Sequence, residues 1–221
     1  MKKRPPSIID LIEEVNQQST ELLHFFRPSM LFGCDRANVF HYQCAPFHPQ
    51  RVSPRLKRIL DNGTAIHEVI QKYLSDHREW WFAPEARIYR RVAGAWIRGS
   101  CDGVLIRRSD MYRCGIEIKT INHEEFVRLA KAKPGHVDQA TTYAKLMGLT
   151  WIVVVYWDKG TQNLKEFPVR VSERRWNETK ERVRHLKMYV DKRELPKFNP
   201  STCDVTFCTF VDHCRRKGAP V

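Results

Sequence analysis

The chain reads as a mixed α/β fold, a β-sheet flanked by helices. Three observations predict it. Segments 86–92, 96–106 and 112–120 are strand-like and follow one another closely. A helical segment at 136–147 leads into 151–157, a nearly continuous apolar run of the kind that fills a buried central strand. A further strand-like segment at 164–171 precedes a long basic helix at 172–190, giving the order α-β-β-β-α-β-β-α.

Residues 8–26 carry apolar positions at helical spacing (Ile9, Leu11, Ile12, Val15, Leu22, Leu23, Phe26), which predicts one or two helices. A further short helix is expected over 29–42. Pro46, Pro49 and Pro54 mark 44–53 as a loop. Over 63–74, Ile66, Val69, Ile70, Tyr73 and Leu74 form the apolar stripe of an amphipathic helix. Arg108-Ser109-Asp110-Met111 reads as a turn between strands, and Ser172 as the N-cap of the long basic helix. From Pro196 onward the chain is Pro- and Cys-rich with little periodicity. The expectation is one domain over 1–221.

The 221 residues include 38 Lys and Arg against 25 Asp and Glu, a formal charge of +13. Such an excess favours a polyanionic partner, with nucleic acid the first candidate and simple solubility the alternative. No apolar run approaches the ~20 residues needed to span a membrane, and Met1-Lys2-Lys3-Arg4-Pro5-Pro6 is too polar for a signal peptide. The expectation is a soluble, cytoplasmic protein without membrane contact. Cysteines at 34, 44, 101, 114, 203, 208 and 214 make an odd count of seven, which in a reducing compartment argues against a disulfide framework. Some are then metal or cluster ligands and others core residues.

The chemistry concentrates in Gly115-Ile116-Glu117-Ile118-Lys119-Thr120 and in Asp102 fifteen residues before Glu117. On a strand, Glu117 and Lys119 leave one face while Ile116 and Ile118 enter a core on the other. Pairing the two strands as a hairpin can bring two carboxylates and an ammonium together at a sheet edge. Two hard oxygen ligands beside a positive charge suit Mg²⁺ or Mn²⁺ acting on phosphate. A solvated strand face is the alternative for these residues taken alone. His67 lies beside the buried stripe of its helix, either as a core-edge residue or as a third ligand. Gly63, one turn earlier, permits close approach of that helix to the site. Gln139 and Tyr143 are four apart on one helix face, where they can hydrogen-bond a phosphate or orient a water.

Taken in order, Gly63-x-x-x-His67, Asp102, Glu117-x-Lys119 and Gln139-x-x-x-Tyr143 resemble the PD-(D/E)XK nuclease superfamily, and its RecB-like branch in particular, across about residues 60–160. The resemblance implies a restriction-endonuclease-like core over about 60–190. It implies that Asp102, Glu117 and the main-chain carbonyl of Ile118 hold the catalytic metal, with His67 as an added ligand. Lys119 would orient the attacking water, and Gln139 and Tyr143 would position the substrate. Cys101 stands where the family usually has Pro before the first Asp.

Cys203-x₄-Cys208-x₅-Cys214 lies in the irregular tail. These thiols could be buried small residues or zinc ligands, although zinc sites usually show closer Cys pairs and a nearby fourth ligand. The stretch from Ser29 to Tyr42, with Cys34, Arg36, Phe40 and Tyr42, looks like the N-terminal motif of the iron–sulfur members of this nuclease branch, which include AddB-type and CRISPR-associated exonucleases. That resemblance implies a [4Fe–4S] cluster on Cys34, Cys203, Cys208 and Cys214, with Cys44 in reserve and His213 a weaker candidate. The cluster would clamp segments of about 27–60 and 196–221 together. Closing so long a loop is worth roughly 5 kcal/mol in the chain-entropy model. Cys101 and Cys114 fall in strands and read as core.

Arg87, Arg90 and Arg91, Arg107 and Arg108, and Arg174 and Arg175 form basic clusters, and Lys180, Arg182, Arg184 and Lys187 share part of a helix face that could track a phosphate backbone, with a solvated surface the alternative for each. Trp80-Trp81-Phe82 could stack on unpaired bases or fill a core. The functional expectation is a metal-dependent deoxyribonuclease acting on single-stranded DNA or DNA ends. A homo-oligomer, or a recombination- or CRISPR-type protein, is the further partner considered. A non-cleaving nucleic-acid scaffold and a zinc-stabilised binding protein are the alternatives.

Overall fold

A computed structural model describes residues 7, 9, 24–45, 54–205 and 208–219. Its elements run α1 (Pro28–Leu31), α2 (Asp35–Tyr42), α3 (Pro54–Ser75), β1 (Trp80–Val92), β2 (Ala95–Arg107), β3 (Arg113–Ile121), α4 (His123–Arg128), α5 (Pro134–Leu146), β4 (Trp151–Asp158), β5 (Leu164–Arg170), α6 (Glu173–Lys192), a 3₁₀ turn (Pro200–Thr202) and α7 (Val211–Arg216). The helices expected over 8–26 and most of the loop expected over 44–53 lie outside the described residues.

The sheet has the order β1-β2-β3-β4-β5. β1–β2 and β2–β3 are antiparallel, β3–β4 parallel and β4–β5 antiparallel. A parallel neighbour needs a crossover, which α4 and α5 supply between β3 and β4. The mixed sheet flanked by helices anticipated from the sequence is therefore present.

Each face has its own core. Ile66 and Ile70 of α3 pack on Ile116 and Ile118. On the opposite face Ala140, Tyr143 and Ala144 of α5 cover Ile152, Val154 and Tyr156. A third cluster joins Leu31, Val39 and Tyr42 to Ile97 of β2 and to Val183 and Leu186 of α6. The C-terminal segment docks on α2 through Phe40, Phe210 and Cys214.

Several sequence expectations change. The helix over 63–74 begins at Pro54, an acceptable first-turn residue because its missing N–H would be unpaired there anyway. Its stripe is narrower than expected: Ile66 and Ile70 are buried, while Val69 and Tyr73 are exposed. The single helix expected over 29–42 is two, broken at Gly33 and Cys34. The run 151–157 is an interior strand, β4, paired on both sides, but it is not buried on both faces. β4 is second from the edge and alternates between fully and half-buried positions, because only its α5-side face is completely covered. The turn at 108–111 is present, with Met111 in the left-handed region at φ 60°. Ser172 caps α6, its side chain accepting from the Arg175 amide.

Candidate active site

β3 is the middle strand, and its alternation sorts its side chains between the two faces. Ile116 and Ile118 enter the α3 core. Glu117 and Lys119 face α5, where Gln139 meets them both. Lys119 Nζ lies 2.8 Å from Glu117 Oε1 and 3.1 Å from Gln139 Oε1, and Gln139 Nε2 donates to Glu117 Oε1 at 2.7 Å. Glu117 is 2% exposed. Its second oxygen, Oε2, is buried and has no hydrogen-bond partner.

Asp102 arrives from β2. The two strands pair only through Gly103–Ile106 and Arg113–Ile116, and they part where Asp102 and Glu117 would come next. In that gap Asp102 Oδ2 accepts from the Ile118 amide at 2.5 Å, and Oδ1 stands 3.4 Å from His67 Nδ1. The site is thus interior, at the middle of the sheet, and not at a sheet edge as the hairpin argument suggested. The reason is that β2 runs on as the partner of β1 alone.

Tyr143 is 3% exposed and lies behind Gln139. Its hydroxyl would be 3.0 Å from a Cβ at Gly99, so a glycine there gives the ring room. Gly63 plays no such role, since a Cβ on it would meet Thr120 Oγ1 at an ordinary 3.6 Å. Close approach of α3 therefore does not depend on that glycine.

The electrostatics follow from burial and from neighbouring charge. Burial raises the Glu117 carboxyl pKa; the Lys119 ammonium pulls it down and the Asp102 charge pushes it up, leaving it above the ordinary range. For His67, burial alone would lower the pKa, but the hydrogen bond and charge of Asp102 outweigh it and the value rises. The Cys101 thiol, buried against Ile116 O at 3.1 Å, is pushed up to about 12 by desolvation first and Glu117 second. It is a core residue, as is Cys114, which is also buried.

Among the described residues no three His, Cys, Asp or Glu side chains already form a metal cage. What the site offers is two carboxylates, one with an unpartnered buried oxygen, beside an ammonium. That donor set fits a hard divalent ion, which binds through one or two carboxylates and keeps other positions for water and phosphate.

A third acidic residue, Glu85, lies close by, and no sequence motif marked it. Glu85 has a left-handed φ of 50° in β1, directly after Pro84. Its carboxylate accepts from Gln71 Nε2 at 3.1 Å and Ser100 Oγ at 2.8 Å, and the same Gln71 amide reaches the Asp102 carbonyl at 3.1 Å. Pro84 within an apolar stretch was the available signal, because proline is tolerated in an edge strand such as β1.

The four predicted cluster cysteines come together. Cys34, at the N-cap of α2, lines one small cavity with Cys203, Cys208 and Cys214. Burial raises the Cys203 and Cys208 thiol pKa values, and the neighbouring cysteines, Cys34 and Cys214 among them, raise them further. Arg36 ties this region together, donating to Pro196 O at 2.9 Å and lying 3.7 Å from Cys214 Sγ. Cys44 is exposed, with Sγ 3.8 Å from His24 Nδ1, and does not line the cavity. His213 packs edge-on against Phe40 with ring centroids 4.7 Å apart.

The basic side chains of α6 divide between pairs within the helix and contacts to other elements. Arg174 pairs with Glu178, Arg175 with Asp138, Arg184 with Glu181 and Lys187 with Asp191. Arg182 binds the Leu31 and Gly33 carbonyls at 2.9 Å each and pairs with Asp35. Arg175 and Arg182 thus bind other elements of the fold, whereas Arg174, Arg184 and Lys187 make only pairs within the helix. Trp80, Trp81 and Phe82 open β1; Trp81 is exposed, with Arg108 over its ring at 5.1 Å.

The architecture is shared with solved structures of low sequence identity. The crystal structure of an alkaline exonuclease (LHK-Exo) from Laribacter hongkongensis superposes with a TM-score of 0.59 at 15% identity, over 80% of this chain and 93% of that one. The chain has the fold of this exonuclease. The complex of LHK-Exo with dAMP gives a TM-score of 0.60 at 15% identity over the same shares. The crystal structure of SSO0001 matches nearly end to end, 96% of this chain and 98% of that one, with a TM-score of 0.57 at 18% identity. No protein-family model matches the chain, and no curated protein matches it in sequence. No helix among the described residues is long and apolar enough to cross a membrane.

Proposed function

We propose that the chain is a divalent-metal-dependent nuclease that hydrolyses DNA phosphodiester bonds, working as an exonuclease on single strands or DNA ends in recombination, repair or replication. The observation that carries this reading is the unpartnered, buried Glu117 Oε2 beside Asp102 and Lys119, in a fold shared with an alkaline exonuclease. An unsatisfied buried acceptor costs about 1–3 kcal/mol, more when charged. A bound cation removes that cost.

Asp102, Glu117 and the Ile118 carbonyl would hold Mg²⁺ or Mn²⁺, with His67 as an added ligand once its proton is displaced. When bound, the ion supplies Lewis acidity, lowering the pKa of a coordinated water and neutralising charge on phosphoryl oxygens. The chain's own groups do the rest. Lys119 Nζ, fixed by Glu117 and Gln139, orients the attacking water and stabilises negative charge on the phosphoryl group. Gln139 sets the spacing of that carboxylate and ammonium, and buried Tyr143 backs it.

The same reading assigns a [4Fe–4S] cluster to Cys34, Cys203, Cys208 and Cys214. Four thiols lining one cavity supply the four cysteine ligands such a cluster takes, and the resemblance of the Cys34 segment to iron–sulfur members of the nuclease branch favours it over zinc. Its role would be to pin the C-terminal segment against α2.

Degradation of end-labelled single- and double-stranded DNA with Mg²⁺ or Mn²⁺ tests the nuclease assignment. Binding without cleavage would favour a non-cleaving scaffold. For the cluster, anaerobically purified protein is expected to be brown, to contain iron and sulfide, and to lose both in Cys203→Ser but keep them in Cys44→Ser. A colourless protein that contains zinc would overturn that assignment.

A further inference from the structure

His136 belongs to none of the motifs described above, yet it adjoins the same site. It stands in the first turn of α5, three residues before Gln139 and seven before Tyr143, and so on the same helix face. Its ring Nδ1 is 2.8 Å from the hydroxyl of Tyr156. Tyr156 is fully buried and is the β4 residue paired with Lys119 across the parallel β3–β4 ladder.

The hydrogen bonds fix the tautomer. The Lys133 amide can only donate, and it donates to Tyr156 Oη at 3.0 Å. The buried Tyr156 O–H needs an acceptor, and of these two neighbours only His136 Nδ1 can be one, so the imidazole keeps its own hydrogen on Nε2. Burial first, then the Lys119 and Lys133 ammoniums, push the His136 pKa down to about 4. The ring therefore stays neutral at working pH and serves as a donor. It stands at the amide end of a helix, where anions are favoured.

We infer that His136 is a further substrate-binding residue of this site, donating Nε2–H to a phosphate oxygen next to Lys119, with Tyr156 as the positioning residue that fixes its tautomer. This rests on the nuclease reading above. A neutral donor there would bind the phosphoryl group without competing for the cation. It would add to Lys119 a directional contact that strengthens as charge builds on oxygen.

The test compares wild type, His136→Ala, His136→Asn, His136→Gln and Tyr156→Phe on end-labelled DNA with Mn²⁺, with thermal melts to confirm folding. His136→Ala and His136→Asn are expected to lose on the order of 10² in kcat. His136→Gln, whose amide nitrogen reaches the Nε2 position, should retain activity within about tenfold of wild type. Stereospecific phosphorothioate substitution at the cleaved position should slow wild type for one diastereomer and add nothing further in His136→Ala, an effect that loss of packing alone would not produce. Wild-type kcat and KM in folded His136→Ala, with DNA still cleaved, would overturn this inference and leave the nuclease reading standing. Failure of wild type to cleave any DNA, with either cation, would remove both.

Discussion

Gln139 joins Glu117 through a 2.7 Å hydrogen bond from its amide nitrogen, and its amide oxygen accepts from Lys119 at 3.1 Å. One side chain of α5 thus sets the spacing of the carboxylate and ammonium on β3. Gln139→Ala is expected to leave the fold within a few degrees of wild-type melting and to cut kcat by on the order of 10- to 100-fold, by letting Lys119 drift from its aim. Steady-state cleavage kinetics beside a thermal melt separate those two effects.

Glu117 links the site to stability. Its folded-state pKa stands above the ordinary 4.5, so the folded, metal-free chain holds this proton more tightly than the unfolded one. Ionised Glu117 then costs stability above the raised pKa, and the cost disappears as pH falls below the ordinary value. Glu117→Gln should melt higher than wild type at pH 8 in the presence of a chelator and lose that advantage at pH 4. Each kcal/mol is worth about 2–4 °C at this chain length. Calorimetry across that pH range checks the sign.

Two glycines near the site should behave in opposite ways. A Cβ at Gly103, the neighbour of Asp102, would stand 2.2 Å from the Phe82 ring and 3.2 Å from the Ala83 carbonyl. Gly103→Ala is predicted to destabilise by about 1–3 kcal/mol. Gly63→Ala, in the interior of α3 with only an ordinary 3.6 Å contact, should gain about 0.5–1 kcal/mol. Chemical denaturation of both variants measures the pair.

Arg182 closes a contact between α6 and the corner that carries Cys34. Its guanidinium satisfies the Leu31 and Gly33 carbonyls and pairs with Asp35. Arg182→Ala leaves three acceptors short of a donor and should cost about 2–4 kcal/mol. It should also lower iron per chain relative to wild type, because Cys34 is the next residue after Gly33. Arg182→Lys, with one point charge in place of a planar fork, is expected to fall between them.

How much of this was legible in the sequence depended on whether the signal was local. The two-residue alternation of β3 was enough to put Glu117 and Lys119 on one face and Ile116 and Ile118 on the other. Helical spacing likewise put Gln139 and Tyr143 together. Non-local facts were not legible. Nothing in the basic run of α6 announces that Arg182 binds Asp35, 147 residues away. In the first turns of α3, Ile59 and Leu60 are at helical spacing yet exposed, and the Pro54 that opens the helix reads equally well as a loop residue. Helix α4 has six residues, one of them buried, and is announced chiefly by Asn122, whose side chain accepts from the Glu125 amide. The alternating burial of β4 depends on which helices cover each face, which a run of apolar residues does not encode.

The most direct measurement is the rate at which end-labelled DNA is shortened with Mn²⁺ by wild type, Asp102→Ala and Lys119→Ala, each checked for folding. The expected result is cleavage by wild type that stops on chelation, with both variants slowed by about 10²-fold or more. Variants that digest DNA as fast as wild type would show that the chemistry lies elsewhere and contradict the role given to Asp102 and Lys119.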